Sequence, residues 1–311
     1  MTADVVGRLG LGTAPLGNLF TSVTDDDAAA TVEAAWDAGI RWFDTAPQYG
    51  HGVAEVRLGR ALSGLPRDQY VLASKVGRLL RRTEGPRPPT SFCDVPDVDP
   101  VHDFSRDGVL RSLEESLERL GTDRLDVVYV HDPDDHERIA RDEAFPALFE
   151  LRDQGVVRQV GCGMNQSAML QRFVADLPLD GVLMAGRWTL LDRSGADLLD
   201  DCAARGVNVS LGGVFNSGLL ADPSPTATFD YATAPTDLVE KARAVQGVCA
   251  EHGVSLPQAA IRFALRHPAV TTVLFGARSA AEVRDDVGWA SDPVPDALWA
   301  DVDRVVAGAA G

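Results

Sequence analysis

Residues 41–62 read RWFDTAPQYGHGVAEVRLGRAL, and the rest of the chain is understood outward from them. A short apolar run of strand character, Ile40 to Asp44, ends in a carboxylate; a polar turn carrying Tyr49 follows, and then a longer segment read as helix. The same unit recurs along the chain. Strand-like runs fall at Arg8 to Thr13, Ile40 to Asp44, Val71 to Lys75, Leu125 to Val130, Val157 to Gly163, Gly181 to Ala185, Val207 to Gly212 and Thr272 to Phe275. Eight of them, alternating with helical segments, are what a (β/α)8 TIM barrel requires. With 311 residues and no internal repeat or linker, the chain reads as a single α/β domain over residues 1–311.

The helical period is clearest in VLRSLEESLERLG, residues 109–121, where Val109, Leu110, Leu113, Leu117 and Leu120 form the expected apolar face and Gly121 the stop. Asp25 and Ser279 are the expected N-caps of the segments that follow them. Two stretches break the alternation. Residues 76–104, with Pro86, Pro88, Pro89, Pro96 and Pro100, are too long and proline-rich for a simple connection and are expected to form an ordered lid or a flexible flap. Residues 213–235 are similar. Both follow strands, so both belong on the rim where a barrel keeps its binding loops.

Composition narrows the function. The net charge of −17 disfavours nucleic acid and anionic membrane surfaces as partners, since both attract basic patches. Cys93, Cys162, Cys202 and Cys249 are far apart, with no CxxC spacing and no cysteine-histidine cluster, so no metal site is expected and reduced thiols of a cytoplasmic protein are. The first residues lack the basic start and apolar core of a signal peptide, and no run approaches the ~20 apolar residues of a membrane span.

Asp44, Tyr49, Lys75 and His131 each sit at or just past the end of a predicted strand, so a parallel barrel gathers all four on one rim. Taken singly, they read as a loop cap, a half-buried aromatic, a snorkelling lysine and a structural histidine. Together they describe proton transfer at a carbonyl. A tyrosine with an unperturbed pKa near ~10 is a poor acid or base at neutral pH, and an adjacent ammonium such as Lys75 is expected to lower it. Asp44 would fix the lysine, and His131 would orient a carbonyl or alkoxide oxygen.

On these residues the chain resembles the aldo-keto reductase family. The matching stretches are GLGTAPLGN, FDTAPQYGHGVAEVRLGRAL, ASK, VVYVHDPDD, VGCGMNQ and GARSAAEVRDDV, in the family's order and nearly end to end. The segments APLGNLF, GRWTLLD, GGVFNSGLL and YATAP are similar to the bacterial branch that oxidises L-fucose and D-threo-aldoses at C1, near the pyridoxal 4-dehydrogenases. The resemblance implies that Asp44, Tyr49, Lys75 and His131 are catalytic and that the cofactor is NAD or NADP. It also implies a β-hairpin plugging the barrel floor, shortened here because only about seven residues precede the first strand.

The same resemblance places Gly12, Thr13, Asn165, Trp188, Gly212, Gly213, Phe215, Gly218, Leu220, Gly276, Ala277, Arg278, Ser279, Glu282 and Asp286 around the dinucleotide. Asn165 is expected on the nicotinamide carboxamide, and Trp188 to stack on the ring. Where relatives commonly have glutamine this chain has Ala185, so one carboxamide hydrogen bond is absent or replaced, through Gly163, Met164 or backbone. Gly276 to Ser279 lead into a helix whose N-terminus suits phosphate or the adenosine end. There is no GxGxxG to support a Rossmann reading. Glu282 stands where NADPH-preferring relatives often have a basic residue; a carboxylate accepts from a ribose hydroxyl and repels a phosphate, which favours NAD, although Arg278 is a second candidate phosphate ligand. By rim placement, Leu16, Phe20, Gln48, His51, His102 and Phe215 are the candidate substrate contacts. The expected partner is a small sugar or aldehyde; pyridoxal oxidation and general NADPH-dependent carbonyl reduction are the alternatives. A non-catalytic NAD(P)-binding regulatory subunit is the rival of another class, and the intact tetrad argues against it.

Overall fold

A β-strand turns alternate side chains to opposite faces, and a closed parallel barrel makes one of those faces its interior. The computed structural model describes residues 5–82, 85 and 89–308. Its barrel strands are β1 (Leu9–Gly12), β2 (Trp42–Asp44), β3 (Val71–Val76), β4 (Val127–His131), β5 (Gln159–Met164), β6 (Gly181–Ala185), β7 (Asn208–Gly212) and β8 (Val270–Gly276). They close in chain order, every neighbouring pair parallel, β8 returning to β1. All eight predicted runs are strands, with ends shifted by at most two residues.

The two faces of each strand have different tasks. Phe43, Leu72, Val128, Val130, Val160 and Val182 point outward into the main core against the helices. Ala73, Val127, Tyr129, Leu183 and Leu274 form a separate cluster with Trp42 and Val71, and the Tyr129 hydroxyl lies 3.3 Å from Ser210 Oγ. This second cluster fills the barrel. Tyr129 fits because Gly161 on the next strand has no side chain; a Cβ there would meet its Cδ1 at 2.8 Å.

The surrounding helices are α1 (Asp25–Asp37), α2 (Val53–Leu62), α3 (Arg106–Leu120), α4 (Phe145–Asp153), α5 (Ser167–Asp176), α6 (Ala196–Arg205), α7 (Thr236–Glu251), α8 (Leu256–Ala264), α9 (Ala280–Ser291) and α10 (Ala297–Gly308). Gly121 stops α3 in a left-handed conformation and Ser279 caps α9, as expected. The cap of α1 is Thr24, whose hydroxyl accepts from the Asp27 N–H; Asp25 is the first helical residue rather than the cap. The inner face of α3 also differs. Ser112 and Ser116 are buried beside Val109, Leu113 and Leu120, whereas Leu110 and Leu117 are only half-buried, because short side chains let the helix approach its neighbours more closely.

Ahead of β1, the described residues contain no plugging hairpin; Val5 and Val6 pack on the core, and the Arg8 guanidinium donates to the Leu265 and Val270 carbonyls at 3.1 and 2.7 Å. Rim loop 76–104 contains an antiparallel hairpin, Arg78–Arg81 against Asp99–His102. Pro86 and Pro88 of the expected lid lie outside the described residues. Loop 213–235 contains a smaller hairpin, Thr228–Phe229 against Ala232–Thr233, whose turn residues Asp230 and Tyr231 are left-handed (φ 46° and 64°). Among the described residues no helix is long and apolar enough to cross a membrane.

Candidate active site

Strand parity assembles the site. Trp42 and Asp44 on β2, Ala73 and Lys75 on β3, and Tyr129 and His131 on β4 share the inward face, so the last inward residue of three adjacent strands is a carboxylate, an ammonium and an imidazole. Lys75 is aligned with Tyr129, and Asp44 with Ala73. Tyr49 enters from the turn after β2, and that turn is fixed by contact between two glycines. A Cβ on Gly50 would meet the Gly17 carbonyl oxygen at 2.4 Å, and one on Gly17 would meet the Tyr49 carbonyl carbon at 2.6 Å.

The four side chains converge. Lys75 Nζ donates to Asp44 Oδ1 at 2.7 Å and to the Thr45 carbonyl at 2.9 Å, and it lies 4.7 Å from the centre of the Tyr49 ring. The Tyr49 and His131 rings meet edge to face, 6.1 Å between centroids. Burial raises the Asp44 carboxyl against the pull of Lys75. His131 is held well below its ordinary value by burial, then by Arg78, Lys75 and His102, so it is a neutral imidazole near pH 7. Tyr49 departs from expectation. Its phenol is pushed well above the ordinary value, first by burial and then by Asp44 and Asp132, with Arg78 opposing. The Lys75 charge is engaged by Asp44 and a carbonyl, and burial outweighs what it supplies.

A buried lysine–aspartate pair, a phenol and a neutral imidazole at the mouth of a filled parallel barrel form a set able to pass a proton to or from a substrate oxygen. The sequence pattern of the aldo/keto reductase family matches residues 8–307. The chain belongs to this family. It is 42% identical to a D-threo-aldose 1-dehydrogenase from Pseudomonas sp., over 96% of this chain and 93% of that protein. It is 40% identical to a pyridoxal 4-dehydrogenase from Microbacterium luteolum, with the same coverages. The fold matches an aldo-keto reductase from Bacillus halodurans in its holo form, with a TM-score of 0.76 at 23% identity, over 98% of this chain and 92% of that one. As a family member, the chain is an NAD(P)-dependent oxidoreductase.

Several predicted contacts are placed differently by the structure. Leu16 is fully buried in the core, and His51, 5% exposed, binds the Val98 carbonyl of rim loop 76–104 through Nδ1 at 2.6 Å. Thr13 is buried, its hydroxyl tied to the Asp44 carbonyl. Leu220 and Ala277 are fully buried. Trp188 is half-buried and lies against Phe263 (5.1 Å between centroids) and His267 (5.6 Å), at the seam between barrel and outer helices. The sequence gives no sign of this packing because an aromatic after a strand serves a core or a ligand alike.

The remaining candidates stay at the strand ends. Gly12, Gly212 and Gly213 close β1 and β7; Asn165 is exposed after β5; Phe215 is half-buried beside Trp289. Phe20 is 39% exposed, and its ring meets Tyr231 of the second rim hairpin at 6.3 Å. The His102 ring meets His136 edge to face and packs tilted against Phe104, 5.2 and 5.9 Å between centroids. Gln48 accepts a hydrogen bond from Arg78. Sequence reasoning missed Arg78, Asp132, Phe92 and Tyr231. Phe92 packs 6.2 Å from the Tyr49 ring. Arg78 stands three residues after Lys75, and Asp132 directly follows His131, adjacency that was the available signal.

At the far end of the cleft, Asp286 is 4% exposed, and burial, then Glu282 and Asp285, push its carboxyl up to about 8. In the unfolded chain an aspartate titrates near ~3.9. Between those values the unfolded state releases the proton more readily, so native stability is lost as pH rises and the full penalty is reached above about pH 8. Asp286→Asn should therefore stabilise the protein on the order of a few kcal/mol at pH 8.5 and markedly less at pH 5. Chemical denaturation at the two pH values measures it; an equal effect at both would show that the carboxyl is not titrating anomalously.

Proposed function

We propose that the chain oxidises an aldose of the L-fucose or D-threo type at C1 to the lactone, with NAD as the preferred cofactor. The observation that carries the substrate class is the 42% identity, over nearly the whole of both chains, to a D-threo-aldose 1-dehydrogenase, joined to the convergent tetrad. A bound dinucleotide would supply the two-electron acceptor for the C1 hydride. Tyr49 would take the C1 hydroxyl proton as general base. Lys75, held by Asp44, keeps positive charge against the Tyr49 ring. His131, neutral, donates to the reacting oxygen and orients it.

The chain's own residues fit a dinucleotide. Gly213 exposes its backbone at the end of β7, and Asn216 Oδ1 is buried there without a partner. At Gly276 a Cβ would press to 2.8 Å on Pro15, so the wall stays low where the chain enters α9. Ser279 occupies the Glu282 N–H, and the Ala280 and Ala281 N–H groups have no acceptor within a helix, which suits the pyrophosphate or adenosine end. Asn165 is then the carboxamide contact, and Gly12, Gly212, Phe215 and Gly218 line the approach.

Glu282 favours NAD. Its carboxylate accepts from the Arg278 N–H at 2.8 Å and pairs with the Arg278 guanidinium at 3.1 Å. A 2′-phosphate would meet this carboxylate and compete with it for Arg278, whereas a ribose hydroxyl donates to it. Glu282→Arg should shift the NADP:NAD ratio of kcat/KM toward NADP by roughly tenfold or more. A wild-type enzyme that already favours NADP would overturn this reading of Glu282.

NADH formation from L-fucose, D-arabinose, L-galactose, D-glucose and pyridoxal tests the substrate assignment. Oxidation of the first sugars is expected; pyridoxal oxidation with no aldose activity would move the assignment to the second relative. Tyr49→Phe should lower kcat by ~10²- to 10⁴-fold while leaving the dinucleotide Kd nearly unchanged. Undiminished turnover would remove Tyr49 from proton transfer.

A further inference from the structure

Arg78 is the cation of this site that no catalytic role has yet absorbed. Its side chain is 11% exposed. One end of the guanidinium donates to the Gln48 side-chain carbonyl, next to Tyr49 in the chain, and Nη2 donates to Asp132 Oδ2 at 2.7 Å. Asp132 directly follows His131, and the same Oδ2 lies 3.5 Å from His131 Nε2. The backbone of Asp132 is left-handed, φ 43°, a conformation that favours glycine and persists in other residues where surrounding contacts hold it. The Arg78 fork and the Asn165 N–H are those contacts. A strained, half-buried carboxylate is thus fixed against the catalytic imidazole by a buried arginine that also grips the turn carrying Tyr49.

We propose that Arg78 is a positioning residue for the reaction: by holding Asp132 and Gln48 it places a positive charge against the Tyr49–His131 pair, favouring the phenolate and leaving the imidazole available to the substrate oxygen. This rests on Tyr49 being the general base. Without the arginine, the Asp132 carboxylate faces His131 and Tyr49 uncompensated. Tyr49 is faced by Asp44 from β2, Lys75 from β3, Arg78 from the lid hairpin, His131 and Asp132 from the end of β4, and Tyr231 from the second rim hairpin. Lys75 is committed to Asp44 and a carbonyl. Arg78 is the cation that opposes the rise of the phenol.

Four proteins decide the matter: wild type, Arg78→Gln, Asp132→Asn and the double variant, each followed by the pH profile of kcat/KM for oxidation. Arg78→Gln should lower kcat/KM by roughly 10²-fold at neutral pH and move the basic-activity limb to higher pH. Asp132→Asn should move the limb to lower pH. The double variant should recover much of the loss and return the limb toward wild type, a rescue that a purely structural role does not give. Dinucleotide Kd, read by fluorescence quenching, should be unchanged throughout. A limb that stays in place in a folded Arg78→Gln protein overturns the proposal; if that variant does not fold, an unmoved limb in Asp132→Asn does so. Tyr49→Phe separates the two ideas: retained turnover there removes the general base itself, whereas a dead Tyr49→Phe beside unmoved limbs rejects Arg78 alone.

Discussion

The site depends on one ion pair, Lys75 with Asp44, placed almost wholly out of water at the inward ends of adjacent strands. Charges so buried persist only when paired and hydrogen-bonded, since either alone carries a desolvation cost of several kcal/mol. The pair therefore constrains its surroundings. β2 and β3 must keep the register that brings the two side chains together, and the Thr45 carbonyl must turn in to take a further ammonium proton. With much of the lysine's charge spent on the aspartate, the phenol beside it remains a phenol in the resting protein. A second cation, on a loop, is then what adjusts it.

The parity of the strands explains how a linear sequence delivers this arrangement. In β3 and β4 the inward residues below the chemistry are Val71, Ala73, Val127 and Tyr129, side chains that fill a cylinder. The same alternation carried one step further yields Lys75 and His131 at the rim. Stability and chemistry thus occupy successive layers of a single pattern, and the outward residues between them pack the helices independently of either.

That pattern is why the fold and the tetrad were legible. Strand runs carry period and composition, and residues at their ends inherit a direction from the strand. Loop residues inherit none. Leu16 and Phe20 stand four apart in one loop, yet one is in the core and the other at the mouth. His51 looked like a pocket histidine because its partner, the Val98 carbonyl, is 47 residues away. The contacts of Trp188 are hidden for the same reason: its partners on and just past α8 are set by tertiary packing, which no local signal encodes. Arg78 was passed over because two residues past a strand an arginine ordinarily means solvent, and only the fold brings Gln48 and Asp132 to it.

The packed cylinder beneath the tetrad has a kinetic meaning. Tyr129, Trp42, Leu183 and Leu274 pack together in the interior beneath the tetrad. Two reactants that met above this packing would approach from the rim, and the one seated deeper would arrive first and depart last. On the proposed reading, an order of binding and release would follow from the barrel's filling, before any loop has moved.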